Sequence, residues 1–197
     1  TGDTLCSIAG AKPASGVTQH LTLANSRQLA ANRGAKWSLA TVQSVSASQL
    51  LFLVEYASFN TQAAIGRGVT DKTDDGWTNM SNVTGATTAL GNGSGAAVGT
   101  DGLVSISYRG EENFWGNIWK WVDGLNVYAY SAHYAYIADH DFADDTSTGY
   151  ANAGFTPAKA DGYVSAFGYS RDFDWLFLPS AVAGTVDNPV GDYFYQD

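Results

Sequence analysis

The sequence has few charged residues, one cysteine and no long apolar run, and each shortage excludes a class of protein. Charged residues make up 15% of the chain, and 10 Lys and Arg face 19 Asp and Glu, which leaves a formal net charge of −9. Nucleic-acid binding depends on Lys and Arg contacts to phosphates, so we expect no nucleic-acid partner. Cys6 is alone, which excludes a fold held by intrachain disulfides. No apolar run has the length of a membrane span, and we expect no membrane insertion.

Aromatic residues and glycines take the place of the missing charge. Aromatics make up 13% of the 197 residues and there are 22 glycines, a composition typical of a strand- and loop-rich protein with a real core. The length fits one domain with an appended arm. We therefore predict an N-terminal arm or lead-in region over residues 1–36, with a short strand at 18–23, and a main domain over residues 37–197.

The sequence predicts one helix and several short strands, a combination that indicates an α+β fold. The helix is expected over residues 46–60, with Ser46 as its N-cap. Its apolar residues cover so much of the circumference that we expect it to be buried against a sheet. Short strands are predicted from apolar runs at 103–108, 125–130, 133–138, 163–169 and 175–179.

Residues 108–124 contain three tryptophans within seven positions, bracketed by glycines and hydrogen-bonding side chains. Exposing so many aromatics is costly, so we expect a mostly buried segment. Its interleaved Asn113, Asn117 and Asp123 then need hydrogen-bond partners. The segment is either core or binding surface, and we favour core. In that interpretation three residues hold up the binding surface without forming it: Trp115, Trp119 and Trp121.

The sequence contains no recognisable catalytic motif. Its three histidines, His20, His133 and His140, lie outside any known pattern of nucleophile, base and acid, so no catalytic residue is predicted. The acidic run of residues 139–145 offers oxygen ligands of the kind that Ca²⁺ prefers, although a solvated surface loop remains the alternative. No other cofactor is expected. The candidate calcium ligands are Asp139, Asp141, Asp144 and Asp145.

Aromatic side chains outside the tryptophan segment are candidates for ligand recognition. Their faces stack on sugar rings and offer a large contact area at low entropic cost. With 11 tyrosines in the chain, many must be structural. The candidate ligand-binding residues are Tyr134, Tyr136, Tyr150, Tyr169, Trp175, Tyr193 and Tyr195.

Two segments resemble a known family. Residues 116–121 (GNIWKW) resemble the GN-[VI]-W-E-W motif of the C-type-lectin-like fold, in the branch shared by formylglycine-generating enzymes and the variable proteins of diversity-generating retroelements. Lys120 stands where that motif usually has Glu. Residues 53–57, which include Glu55, resemble the W-E-Y-A helix of the same fold. The resemblance covers roughly residues 35–197.

Phage members of this branch are the most similar. Their longer motifs resemble residues 51–62 and 108–117, and they also have counterparts of 175–179 and 192–196. Such folds normally close with a G-G-S-W-like strand, which residues 37–197 do not contain, so we expect the closing C-terminal strands to be missing or replaced. The catalytic cysteines of the formylglycine-generating enzymes have no counterpart either. The resemblance therefore does not imply that enzymatic activity.

What the resemblance implies is a non-catalytic phage protein at the virion surface, outside the cell. Its expected task is host-cell attachment through a glycan or surface protein of the host. The alternative is a capsid-decorating or fibre protein whose aromatic surface makes subunit contacts. The expected partners are the host molecule, other virion proteins and further copies of the same chain.

Overall fold

The fold is α+β, as the sequence predicted, with helices and small antiparallel sheets. In chain order the helices are α1 (Leu23–Asn32), α2 (Val42–Tyr56) and α3 (Thr61–Ile65). The strands are β1 (Gly95–Ala96), β2 (Ile106–Tyr108), β3 (Glu111–Glu112), β4 (Leu125–Tyr128), β5 (Tyr134–Ile137), β6 (Ala151–Asn152), β7 (Gly162–Tyr163), β8 (Ala166–Phe167), β9 (Pro179–Ala181) and β10 (Tyr193–Phe194). The computed structural model describes residues 3–15, 21–72, 80–97, 99, 101–128, 134–185 and 193–194.

The chain divides into two compact units. The first combines Thr1–Leu39 with Thr61–Trp121, and the second combines Ala40–Asn60 with Val122–Asp197. The first unit holds the sheet β1-β2-β3, and the second holds β4-β5-β6 and the pairs β7–β10 and β8–β9. The domain boundary predicted after residue 36 stays a prediction, because this division does not test which part of the chain folds alone.

The first unit begins with a helix where the sequence predicted a strand at 18–23. Residues 16–20 lie outside the described part of the chain, but Thr22 and Leu23 do not form a strand. Thr22 is instead the N-cap of α1, and its hydroxyl accepts a hydrogen bond from the Asn25 N–H at 3.2 Å. For its described residues the strand prediction was wrong, because a capping threonine overrode a short alternation.

The sheet of the first unit is built on tight turns. Arg109 and Gly110 connect β2 to β3 with φ angles of 50° and 88°, the two left-handed positions that a two-residue type I′ turn requires. Gly116 also has a positive φ, of 72°, and lies against the Val69 backbone. A Cβ at this position would be 2.6 Å from the Val69 carbonyl oxygen, so no other residue fits without a backbone shift.

The core of the second unit is apolar. Ala135 and Ile137 of β5 are buried with Val42 of α2 and with Leu176. Partly buried aromatic and aliphatic side chains pack around this cluster and complete it: Val122, Leu125, Phe155, Phe173, Trp175 and Leu178. This cluster fixes one side of the sheet β4-β5-β6 and therefore determines which side chains of that sheet point away from the core.

Helix α2 begins and ends four residues earlier than predicted. Thr41 caps it in a capping box, in which its hydroxyl accepts from the Ser44 N–H and the Ser44 hydroxyl accepts from the Thr41 N–H. The predicted cap, Ser46, is buried inside the helix. At the other end Ala57 adopts a left-handed conformation with φ of 50°, which ends the helix at Tyr56.

The expectation that this helix is largely buried was also wrong. Phe52 is buried, but Val54 is 83% exposed and Leu50 and Leu51 are exposed beside it. These positions follow the i, i+3, i+4 spacing of one helix face. Helix α2 therefore buries one side and presents an apolar stripe on the other.

The strands are shorter than the apolar runs suggested. Of residues 103–108 the last three form β2, and the run 163–169 is divided between β7 and β8. The run 175–179 contributes Pro179 alone, to β9, while Leu176 and its neighbours pack into the core as a loop. An apolar run without clear alternation marks burial more reliably than strand.

Candidate ligand-binding surface

The clearest candidate surface is the outward side of the sheet β4-β5-β6. In the antiparallel pair β4–β5, Tyr128 lies opposite Tyr134 and Asn126 lies opposite Tyr136. Directly opposed residues share a side of the sheet, and side chains alternate along each strand. The outward side therefore carries Tyr128, Tyr134 and Tyr136, which we call the tyrosine face.

The alternation along β5 shows why this face forms. Ala135 and Ile137 are fully buried in the apolar core, whereas Tyr134 is 38% exposed and Tyr136 is half-buried. On β4 the ring of Tyr128 is 39% exposed and meets the edge of the Tyr136 ring at 6.1 Å between centroids. Among the described residues the hydroxyls of Tyr134 and Tyr136 have no hydrogen-bond partner, which leaves them available to a ligand.

Two asparagines extend the tyrosine face with amide groups. Asn126 lies opposite Tyr136 on one neighbouring strand, and Asn152 of β6 lies opposite it on the other. The Asn126 amide donates to the Thr146 carbonyl at 2.8 Å, and Asn152 accepts from the Gly154 N–H at 2.7 Å. Amides beside aromatic rings are the groups that recognise sugars and polar peptides.

The acidic loop is anchored beside this face. The Tyr150 hydroxyl donates to the Ala143 carbonyl and accepts from the Ala143 N–H, at 3.1 and 2.9 Å, while Asn126 holds Thr146. Tyr150 itself is buried. The hydroxyl of Tyr150 thus fixes the loop, and its contact with a ligand stays a prediction.

The four candidate calcium ligands do not form one cluster in the described residues, and calcium binding stays a prediction. His140 bonds the carboxylate of Asp139 through Nδ1, and its Nε2 lies 3.7 Å from Asp141. The hydrogen bond that His140 donates to Asp139, the charge of Asp139 and that of Asp141 together raise the pKa of His140, and His140 in turn lowers the pKa of Asp139. No group of three or more metal-ligating side chains occurs in the described ranges, which include Asp144 and Asp145. Asp139 and Asp141 flank His140 on either side.

The other predicted ligand aromatics lie in separate places. Tyr169 is 75% exposed and lies in the loop after β8, outside the sheet β4-β5-β6. Trp175 packs against the apolar core. The ring of Tyr193 meets that of Tyr163 edge to face at 5.1 Å. Tyr195 lies outside the described residues. Of the seven predicted residues, the sheet brings Tyr134 and Tyr136 together.

The tryptophan segment is more exposed than predicted. Trp119 is 66% exposed and Trp121 50%, so the expectation of a mostly buried cluster was wrong. The indole N–H of Trp121 donates to the Leu21 carbonyl, and that of Trp115 donates to the Arg67 carbonyl at 3.0 Å. Two of the three tryptophans thus fix neighbouring backbone while their rings stay partly in solvent.

Polar contacts hold this segment in place. Asn117, with φ of 71°, accepts a hydrogen bond from the Asn82 N–H at 2.7 Å, as the sequence predicted for a buried amide. The Asn113 side-chain oxygen is buried but has no partner among the described residues, contrary to that prediction. Asp123, in the second unit, is buried, and its main-chain carbonyl accepts from the Val42 N–H at the start of α2.

Lys120 fixes the backbone of its own segment. Its ammonium donates to the carbonyls of Asn113 and Phe114, which a glutamate at this position could not do. Burial of the ammonium lowers the pKa of Lys120, although the charge of Glu111 acts in the opposite direction. Glu55, the other motif residue, lies on the exposed part of α2.

Sequence reasoning missed the role of Glu112. Its carboxylate accepts from the Gly85 N–H, the Thr87 N–H and the Thr87 hydroxyl, at 2.7 to 2.8 Å. Partial burial acts to raise the pKa of Glu112, but these hydrogen bonds outweigh it and lower the pKa. No signal in the sequence marks this contact, because its partners lie 25 to 27 positions away. Sequence reasoning also missed Asn126 and Asn152 as candidate site residues. Asn126 lies two positions before Tyr128 on β4 and therefore on the same side of the sheet.

Little in the structure bears on the predictions that the protein has no catalytic residues and does not insert into a membrane. His20 and His133 lie outside the described residues, and His140 is an exposed loop residue between two aspartates. Among the helices that the structure describes, none has the length and apolarity needed to cross a membrane. Comparison with known protein families, curated proteins and solved structures finds no match to this chain.

Proposed function

We propose that this protein is a non-catalytic binding module whose tyrosine face recognises a glycan or a surface protein of a host cell. The single observation that carries the proposal is the outward row of Tyr128, Tyr134 and Tyr136 on a sheet whose other side is fixed by the core. A rigid sheet holds the rings in position before a ligand arrives, which lowers the entropic cost of binding.

The chemistry of the face suits a sugar. Tyrosine rings supply apolar surfaces for the C–H side of a pyranose, and their hydroxyls supply hydrogen bonds at the rim. Asn152 adds an amide beside Tyr136, and exposed carboxylates of the neighbouring loop, Asp144 and Asp145, add acceptors for sugar hydroxyls. A glycan is accordingly the ligand class that we favour over a protein.

The setting of this function comes from the resemblance. The proposed fold is C-type-lectin-like, supported by the similarity of residues 116–121 and 53–57 and by the combination of one long helix with short antiparallel strands. The similarity to phage members supports a place on the virion surface and a role in host attachment. Fold and function are separate claims, because one fold hosts many functions.

A glycan array with matched variants tests the proposal. We expect the wild-type protein to bind a defined subset of glycans and Tyr134→Ala to weaken that binding about tenfold, the usual effect of removing an aromatic anchor. Tyr169→Ala is the matched control, since Tyr169 is more exposed than Tyr134 but lies outside the tyrosine face. Equal loss in both variants, or none in Tyr134→Ala, would contradict the assignment.

A second candidate function is a structural contact between copies of the chain, as in a capsid-decorating or fibre protein. The observation in its favour is the apolar stripe of α2, where Val54 is 83% exposed beside Leu50 and Leu51. Exposed apolar patches of this kind often mark protein contacts. Analytical ultracentrifugation of wild type and Val54→Asp tests it, with Val83→Asp as the control at another exposed valine. A monomeric wild-type protein would exclude this candidate.

A further inference from the structure

A groove in the first unit lies between α3 and the edge strand β1. Its volume is about 550 Å³, and its walls include Gln62, Ala64 and Arg67 on one side and Gly95 and Ala96 on the other. This size is within the usual range for ligand sites in proteins. The wall residues are small apart from Gln62, Ile65 and Arg67, so an extended backbone can approach strand β1 closely.

The pairing of the sheet directs main-chain groups of β1 away from β2, and Ala96 is among the residues that line the groove. Ala96 lies opposite Ile106 of β2, and the next residue, Ala97, donates its N–H to Ser105 at 3.1 Å. The Ile106 carbonyl is directed the other way, because it accepts from the Asn113 N–H. In an antiparallel pair these positions alternate, so the N–H and C=O of Ala96 point away from β2. Among the described residues neither group has a partner.

Two side chains add polarity to the groove. The Gln62 amide has no hydrogen-bond partner in the described part of the chain. Arg67 is the one charged residue among those lining the groove. Its guanidinium donates to the Asp101 carbonyl at 3.3 Å and lies 3.9 Å from Asp71, a long and exposed ion pair. Such pairs contribute little, and a guanidinium has further donors for a carboxylate.

We propose that this groove binds an extended acidic peptide segment of a partner protein, which adds as a strand along β1. Open edge strands pair readily with another chain in this way. The peptide main chain would bond the N–H and C=O of Ala96, Gln62 would bond it from the helix side, and an acidic side chain would pair with Arg67. This site lies in the first unit and does not depend on the function proposed for the tyrosine face.

Selection from a displayed library of random seven-residue peptides tests the proposal on the full chain. We expect acidic peptides to be enriched on wild type and to bind Ala96→Pro about tenfold more weakly, because proline removes the outward N–H. Proline is tolerated on an edge strand where that N–H makes no ladder bond. Ala96→Ser keeps the N–H and should bind within about twofold of wild type. Arg67→Gln should weaken binding and flatten its dependence on salt.

Amide hydrogen exchange distinguishes strand addition from other modes of binding. In the free protein the Ala96 amide should exchange faster than the Ala97 amide, which is bonded to Ser105. A selected peptide should slow exchange at Ala96 about tenfold or more and leave Ala97 unchanged. Protection of Ala96 without peptide, protection that rises with protein concentration, enrichment of no peptide, or equal binding to Ala96→Pro would each overturn the proposal.

Discussion

The tryptophan segment of the first unit and the tyrosine face of the second have similar aromatic content, but they differ in the buried residues that pack against them. Around the tryptophans polar residues such as Ser105, Ser107 and Asn113 are buried beside apolar ones, and hydrogen bonds hold the segment. Beneath the tyrosines lies an apolar cluster that includes Ala135 and Ile137. Aromatic density therefore does not decide burial here. Along β5 of the second unit, strand alternation decides it.

The largest expected effect concerns the apolar core of the second unit. Ile137→Ala removes a buried side chain, and we expect the free energy of unfolding to fall by about 3 kcal/mol because a cavity remains. Val127→Ala is the matched control on the neighbouring strand, where the side chain is 51% exposed, and it should cost less than about 1 kcal/mol. Urea unfolding measures both. Equal costs would contradict the assignment of Ile137 to the core and of Val127 to the surface.

The next effect concerns the carboxylate of Glu112 in the first unit. Its pKa is lowered in the folded state, so its hydrogen bonds stabilise the protein fully above the unfolded value of about 4.3 and are lost as the pH falls through the folded pKa. Glu112→Gln should reduce the free energy of unfolding by about 2 kcal/mol at neutral pH. The loss should shrink as the pH falls below that unfolded value. A variant difference that is independent of pH would contradict this role.

A smaller effect is expected at Asn117, which sharpens the claim that hydrogen bonds hold the tryptophan segment. Asn117→Ala removes the acceptor for the Asn82 N–H and places alanine at a φ of 71°, so we expect a loss of about 2 kcal/mol or less. Asn117→Asp keeps the acceptor and should recover most of the stability. Thermal unfolding of the three proteins compares them, and an Asp variant as weak as the Ala variant would contradict the account.

The smallest effect is expected at Trp119. The sequence alone predicted that Trp119→Ala would destabilise the protein, but a ring that is 66% exposed contributes little, and we now expect a loss below about 1 kcal/mol. Trp115→Ala should cost more, since its indole N–H bonds the Arg67 carbonyl. Chemical denaturation ranks the two. If Trp119→Ala were the more damaging, the exposed position of this ring would be in question.

Sequence reasoning succeeded where local rules govern the structure. The α+β class and most of α2 follow from composition and helical periodicity, and Tyr134 and Tyr136 were selected as surface aromatics. The correct start of α2 was also predictable from local rules, because Thr41 and Ser44 form a capping box. The prediction placed the cap at Ser46 because it followed the apolar run. The burial of that helix was overestimated, since an apolar residue such as Val54 need not be inside.

Other features depend on contacts between distant residues and left no signal in the sequence. The bond from Asn82 to Asn117 spans 35 positions, and that from Trp121 to Leu21 spans 100. The pairing of His140 with its neighbouring aspartates was readable from their adjacency, but sequence reasoning considered only calcium binding and a solvated loop for this run. The open edge at Ala96 follows from sheet register, which no local pattern of two residues fixes.

The most direct test of the central claim measures binding and unfolding together for one variant from each region. We expect Tyr134→Ala to weaken glycan binding about tenfold with an unchanged urea midpoint, and Trp119→Ala to retain binding. That result would place recognition on the tyrosine face. Retained binding in Tyr134→Ala together with loss in Trp119→Ala would place it on the tryptophan segment and contradict the account.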